Sequence, residues 1–293
     1  MIPSFFDLND EVADALNQGR AVVALESTLL AHGLPWPENL QTAHDSEAAV
    51  RRQGAVPATI AVLGGRVRIG LDPDDLERIA RSGSFLKASR RDLGVVAARG
   101  LDAATTVSAT LWIARTAGLA VMATGGLGGV HRHAGASFDV STDLDELARA
   151  DGCLVVCSGA KSVLDLSATL EALETRGVAV VGYQTNDWPA FTVAKSGLPL
   201  EWRAESADDV AAILHAQRAL RLPGAVVLAQ PVPEAVAMNP DLWNTAEART
   251  AAEARGITGK AVTPFLLAHV HRATKGQSLQ ANRALIVANA ALA

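Results

Sequence analysis

Short, uncharged runs of aliphatic residues recur along this chain at helix-length intervals, and nearly every one ends in polar or glycine-rich residues. Val22-Val-Ala-Leu25 leads into Glu26-Ser-Thr28, Val121-Met-Ala123 into Thr124-Gly-Gly-Leu-Gly-Gly129, Leu154-Val-Val-Cys157 into Ser158-Gly-Ala-Lys161, and Val180-Val-Gly-Tyr183 into Gln184-Thr185. Runs of this length and β-branched content suit strands buried on both faces, the environment of a parallel sheet. Strands are predicted over 21–25, 59–63, 66–69, 94–96, 120–123, 154–157, 179–183 and 224–228. Helical patterns fill the intervals, at 10–18, 39–53, 72–82, 106–117, 162–176, 206–220, 244–255 and 278–291. Such alternation predicts a three-layer α/β/α fold with helices on both faces of a mostly parallel sheet. The Gly64-Gly65 turn between two strand patterns reads as an antiparallel hairpin, so the sheet should be mixed. No repeat, low-complexity tract or long linker interrupts the pattern, and a single catalytic domain over 1–293 is expected.

Composition narrows the function classes. With 293 residues, 49% hydrophobic and only 4% aromatic, the chain can bury a large aliphatic core. Its 26 Lys plus Arg against 31 Asp plus Glu give a net charge of −5 with no basic block, which argues against nucleic acid as a partner. Cys153 and Cys157 are the only cysteines; a disulfide framework is excluded on count, and both read as small core residues. No basic start with an apolar continuation and no uncharged apolar run of ~18 residues occurs, so a cytoplasmic protein with no membrane partner is expected.

Open α/β sheets place their ligands at the carboxyl ends of the strands, where this chain concentrates its polar residues. Lys161 falls between a predicted strand and a predicted helix, with Ser162 and Asp165 spaced as a capping pair. The positive end of that helix, together with desolvation, would favour a neutral amine able to form a Schiff base; a lysine snorkelling to solvent is the competing reading. Glu26, at the end of an apolar strand, is either a general acid or the cap of a following turn. The glycine run 124–129, continued by His131 and Arg132, could bring backbone N–H groups to phosphate oxygens. It does not fit the dinucleotide fingerprint, and the residues before Lys161 lack the first P-loop glycine. In Asp139-Val-Ser141-Thr142-Asp143 the oxygen ligands suit Mg²⁺ or Mn²⁺, although Ser141 or Thr142 could equally cap a helix over 143–150. Lys87-Ala-Ser-Arg90-Arg91-Asp92 is either an anion site or a salt-bridged surface.

Eight ordered segments together resemble the pseudouridine-5′-phosphate glycosidase family, which includes indigoidine synthase A-type proteins. They are ALESTLLAHGLPWPEN from Ala24, GAVPATIAVLGG from Gly54, KASRRDL from Lys87, TTVSAT from Thr105, TGGLGGVHR from Thr124, FDVSTDL from Phe138, CSGAKSVLDL from Cys157 and TPFLLAHV from Thr263. The resemblance implies Glu26 as general acid, Lys161 as the Schiff-base lysine and Asp139 as the Mn²⁺ ligand, with Mg²⁺ or another divalent cation as a possible substitute. It also implies substrate-binding roles for Lys87, Val107, Ser141, Thr142 and Asp143 toward a ribosyl phosphate, for Asn289 toward uracil, and for Thr124 and His131 in the glycine segment. A homotrimer is the family's expected assembly. Two departures stand out: Trp36 where tyrosine is commoner, and His133 where glycine is common.

A carbon–carbon glycosidic bond explains why such groups are needed. There is no glycosidic oxygen or nitrogen to protonate, so the usual two-carboxylate strategy cannot create a leaving group. The resemblance therefore implies that Glu26 protonates the ribose ring oxygen, Lys161 captures C1′, and protonation at uracil C5 releases the base. The expected reaction is reversible cleavage of pseudouridine 5′-phosphate to uracil and ribose 5-phosphate. The alternatives are a C-glycosynthase that joins ribose 5-phosphate to another carbon nucleophile and, in a different class, a catalytically silent sugar-phosphate-binding protein.

Overall fold

The computed structural model describes residues 3–239 and 262–293; the helix predicted over 244–255 lies outside them. Eleven strands are present among the described residues: β1 (Phe6–Leu8), β2 (Val22–Leu25), β3 (Val56–Leu63), β4 (Arg66–Ile69), β5 (Leu86–Ala88), β6 (Ala103–Thr105), β7 (Val121–Ala123), β8 (Leu154–Cys157), β9 (Ala179–Tyr183), β10 (Trp202–Ala204) and β11 (Val226–Ala229). The helices are α1 (Asp10–Asn17), α2 (Glu38–Arg52), α3 (Pro73–Arg81), α4 (Leu93–Ala98), α5 (Val107–Thr116), α6 (Ala134–Ser137), α7 (Thr142–Leu147), α8 (Leu166–Thr175), α9 (Ala207–Ala219), α10 (Val262–Ala273) and α11 (Gln277–Leu292).

The sheet runs β1-β4-β3-β2-β7-β8-β11-β9-β10, with β6 also joined to β3 and β5 beyond it. Only the β3–β4 and β3–β6 pairs are antiparallel, so the hairpin at Gly64-Gly65 is present within an otherwise parallel sheet. Alternate residues divide each strand between two layers. Val23 and Leu25 pack with Ala49 and Val50 of α2 and Ala290 of α11, while Val22 and Ala24 join the core beneath α1 and α5. On β8, Leu154 and Val156 meet Val210 and Leu214 of α9, whereas Val155 and Cys157 face Leu144 and Leu147 of α7 and Leu173 of α8. The fold is therefore a three-layer α/β/α sandwich with a mixed, mostly parallel sheet. Cys153 and Cys157 are free and buried in the second of these layers, where desolvation pushes their thiols up to about 11 and about 12.

Two local expectations are overturned. Residues 94–96 are helical, within α4: Leu93 and Val96 are buried three apart while Val95 is exposed, a helical rather than a strand spacing. The helix expected from Ser162 begins instead at Leu166, capped by Asp165, whose Oδ1 accepts from Ala168 N at 3.0 Å. The intervening residues form a turn that buries Val163 and Leu164 and is closed by Leu164 N donating to Lys161 O at 2.9 Å.

Candidate active site

Because β2, β7 and β8 are parallel neighbours, their carboxyl ends lie side by side and present Glu26, Thr124 and the segment leading to Lys161 at one edge of the sheet. Glu26 is half-buried. The Thr28 hydroxyl donates to its Oε2 and the Thr124 hydroxyl to its Oε1, so the carboxylate is fixed from both sides. The next residue anchors the strand end: buried Ser27 accepts from Thr105 N at 2.9 Å, and Thr105 Oγ1 donates to Ile60 O at 2.6 Å.

Lys161 is held by its backbone, which donates to Leu127 O at 3.0 Å, while Leu127 N donates to Gly159 O at 2.9 Å. Gly159 has φ +74°, and a side chain there would run into the Pro189 carbonyl. The ammonium of Lys161 makes no hydrogen bond or ion pair among the described residues. The helix-dipole argument for a neutral amine does not survive, because the helix starts five residues later and its positive end is met by the Asp165 carboxylate. Lys161 is half-buried and has no counter-ion among the described residues.

Gly126 and Gly128 are closely packed. A Cβ at Gly126 would lie 2.7 Å from the Phe191 ring, and one at Gly128 would collide with Ser141 and lie 2.7 Å from Asp143 Oδ2. Three N–H groups of the segment are already committed: Leu127 to Gly159 O, Gly128 to Asp143 Oδ2 at 2.9 Å, and Val130 to Thr169 Oγ1 at 3.0 Å. Asp143 is buried, and its other oxygen accepts from Ser108 N at 2.9 Å. It therefore clamps the first turn of α5 to the glycine segment. Ser141 caps α7 by accepting from Asp143 N at 3.2 Å, and Thr142 Oγ1 lies 3.1 Å from Ser108 Oγ. The predicted cap is thus real, but on a helix of six residues that ends at Leu147.

Asp139 is different. Its carboxylate takes no backbone N–H, sits 3.8 Å from His131 Nδ1 and borders a cavity, as a hard oxygen ligand would. No group of three His, Cys, Asp or Glu side chains able to hold a metal occurs among the described residues, so any cation there would take its remaining ligands from substrate and water.

The Lys87–Asp92 segment divides between the cavity and the protein interior. Lys87, Ser89 and Arg91 border the cavity, whereas Arg90 turns inward to Glu146, Nε to Oε2 2.9 Å. Burial raises the Glu146 carboxyl above the usual range, and Arg90 opposes that shift. Ser89 and Asp92 complete a reciprocal cap.

Two cavities meet at these residues. The polar one, about 300 Å³, is bordered by Lys87, Arg91, Val107, His131, Asp139 and the 141–143 stretch. The other is mainly apolar and is formed by Leu29, Leu30, Ala43, Phe191 and Ile286, with Thr124, His32 and Asn282 on its wall. Glu26, Thr28, Lys87 and Lys161 border both.

Asn289 borders neither cavity. It is fully buried, and its amide donates to Thr124 O at 2.8 Å and to Ser158 Oγ at 3.1 Å, bracing the ends of β7 and β8. Asn282, two turns earlier on α11, faces the apolar cavity instead. Sequence reasoning missed both Asn282 and His32; the available signal was a polar residue at i−7 from Asn289 and a histidine inside the segment that follows Glu26.

Comparison with known proteins places the chain in a family. Residues 11–293 match the family model described as indigoidine synthase A like protein. Curated relatives include the pseudouridine-5′-phosphate glycosidases of Caldanaerobacter subterraneus subsp. tengcongensis, 50% identical over 98% of this chain and 94% of that protein, and of Symbiobacterium thermophilum, 51% identical over 96% and 92%. Among solved structures, the prealnumycin C-glycosynthase AlnA in complex with ribulose 5-phosphate superposes with a TM-score of 0.90 at 38% identity, covering 99% of this chain and 95% of that one. An indigoidine synthase A-like protein from Thermotoga maritima gives 0.87 at 35%, covering 98% and 93%. The chain belongs to the indigoidine synthase A-like family.

Proposed function

We propose that this protein is a pseudouridine-5′-phosphate glycosidase, an enzyme that reversibly converts pseudouridine 5′-phosphate and water into uracil and ribose 5-phosphate. The observation that carries the reading is the junction of the two cavities, where one fixed carboxyl group and one lysine without a counter-ion stand between a polar and an apolar compartment. Relatives about 50% identical over nearly the whole chain bear that name.

The sugar phosphate belongs in the polar compartment. Lys87 and Arg91 supply positive charge, and the first turn of α5 at Thr106 and Val107 adds its dipole. Phosphate binding there holds C1′ at the junction and offsets the cost of opening the sugar ring. Glu26 protonates the ring oxygen as the C1′–O4′ bond breaks, and the neutral Lys161 amine forms a bond to C1′. After a proton reaches uracil C5, the lysine nitrogen lone pair expels the base as the C1′–C5 bond breaks. Water then hydrolyses the resulting imine to ribose 5-phosphate and free lysine. The apolar compartment excludes water from the base during these steps.

Asp139, with His131 beside it, would hold a Mn²⁺ or Mg²⁺ ion, which when bound would neutralise phosphate charge. A cytoplasmic homotrimer is the assembly the family resemblance supports, and sedimentation as a monomer at working concentration would count against it. No described helix is long and apolar enough to cross a membrane.

The test is incubation with Mn²⁺, uracil and ribose 5-phosphate, with borohydride trapping and mass spectrometry. Pseudouridine 5′-phosphate and a pentose-phosphate adduct on Lys161 are expected. An adduct without a uracil product would favour the second reading, a C-glycosynthase with another carbon nucleophile, for which AlnA is the structural precedent. No adduct and no product would reject both.

A further inference from the structure

A third cavity, about 400 Å³, lies behind the apolar compartment, between the turn at Leu29–Gly33, Phe191-Thr192 and the junction of α10 with α11. It adjoins that compartment, and His32, Gly33, Phe191 and Asn282 border both. Exposed Pro35 and Arg272 stand on its wall, so it reaches the surface away from the phosphate side.

Its wall is unusual in leaving polar atoms unpaired. Among the described residues, His32 Nε2, Thr192 Oγ1, His271 Nδ1 and Asn282 Oδ1 are all buried without a hydrogen-bond partner, and Thr192 and Asn282 are only 1% and 8% exposed. A buried polar group without a partner is costly, so four on one wall are poor packing but good provision for a polar visitor. Burial, reinforced by Lys87, holds the His32 imidazole below its usual range, and the carbonyls of Leu86 and Phe85 work against that shift. A neutral ring that gives its one N–H to those carbonyls leaves Nε2 as an acceptor. Together with Asn282 Oδ1, the wall offers two acceptors, while the Thr192 hydroxyl can donate.

We propose that this third cavity is the route by which the free heterocycle enters and leaves, and that its wall binds a neutral planar imide, with two N–H groups and two carbonyls, in transit. The proposal rests on the glycosidase reading. In that reaction the base is released while the sugar phosphate is still an imine on Lys161, filling the polar compartment and closing that way out. A base confined to the apolar compartment therefore needs a second opening, and the polar-walled cavity next to it, parted from it only by His32, Gly33, Phe191 and Asn282, is where one would lie. No buried cation lines the wall, which suits an uncharged ligand rather than a second phosphate.

Leu279→Trp tests this, because Leu279 borders the third cavity and neither of the others. The first turnover of pseudouridine 5′-phosphate, followed by rapid quench, should proceed at the wild-type rate. Steady-state cleavage should fall about tenfold as base release becomes limiting. In the synthetic direction the KM for uracil should rise by a similar factor with the KM for ribose 5-phosphate unchanged, and Leu279→Met should behave as wild type. A folded Leu279→Trp protein with wild-type steady-state rate and uracil KM would overturn the route while leaving the glycosidase reading intact. Equal loss in the first turnover would also overturn it, by showing that the substitution disturbs the catalytic residues. A wild-type protein that turns over no pseudouridine 5′-phosphate at all would instead sink the glycosidase reading, and the proposal with it.

Discussion

Asp143 separates two roles that the family resemblance leaves together: touching the substrate and shaping the site. Its two carboxylate oxygens accept from Ser108 N and Gly128 N, both at 2.9 Å, and the residue is 6% exposed. A hydrogen bond to a charged group contributes about 1.5–3 kcal/mol, so Asp143→Ala should destabilise the fold by about 3–6 kcal/mol and leave two buried N–H groups unpaired. Asp143→Asn keeps the volume and one acceptor but turns an amide NH₂ toward the other N–H, so it should cost about half as much. Urea denaturation followed by circular dichroism reads this directly, as a lowered midpoint with an unchanged slope. Activity should fall with stability in both variants, because Val107 and Gly128, which the carboxylate positions, border the polar cavity. An Asp143→Ala protein as stable as wild type, whose only defect is a raised KM, would refute the clamp and make the carboxylate a substrate ligand.

Lys161→Ala should lower turnover at least ~1,000-fold and abolish borohydride trapping, whereas Glu26→Gln should impair ring opening by a similar factor while phosphate binding persists; rapid-quench kinetics and product-inhibition constants check each. Burial raises the Glu47 carboxyl above the usual range despite the Thr59 hydroxyl that donates to it at 2.6 Å. The folded chain therefore binds more protons than the unfolded one from the ordinary value of 4.5 up to the raised one, and stability falls as pH rises through that window. Glu47→Gln should flatten this decline and be more stable than wild type above it, as thermal melts across pH would show. Exposed His133, at φ +64°, occupies a left-handed position. His133→Gly should raise stability by about 0.5–1 kcal/mol, the relief of left-handed strain less the added freedom of the unfolded chain.

The parallel core was legible because its strands are uncharged and buried on both faces: β2, β8 and β11 are buried at every position. Strands β1, β5, β6 and β10 were not, since three residues carry no periodicity and their places are set by partners distant in the chain. The places of Glu26 and Lys161 beyond apolar strands could be read from the sequence, but not what surrounds them. Thr124 reaches Glu26 from 98 residues away, and Asp143 reaches Ser108 from 35. Likewise, nothing local distinguishes Asn282 from Asn289. Both lie on one face of α11, and only the depth of the packing against β7 and β8 decides that one is spent on backbone carbonyls and the other left facing a cavity.

That distinction bears on how the proposed chemistry is divided over the fold. The residues that would form and break bonds sit at the ends of central strands, where neighbouring strands fix the backbone on both sides. Those facing the base come from elsewhere: a single π-type turn at Leu29–Gly33, a loop at Phe191 and one face of α11. Asn39 ties that turn down by donating to Leu30 O at 2.7 Å and to Ala80 O at 2.8 Å, independently of the sheet. A side chain late in the turn or on α11 can therefore change the shape of the apolar cavity while the sheet holds Lys161; the start of the turn is tied to the acid, since Thr28 donates to Glu26 and Leu30 N to Ser27 O at 3.0 Å. Asn289 is the exception on α11. Its amide supports the Thr124 carbonyl, and Thr124 holds Glu26, so a substitution there would reach the acid itself, whereas one at Asn282 would reach only the base.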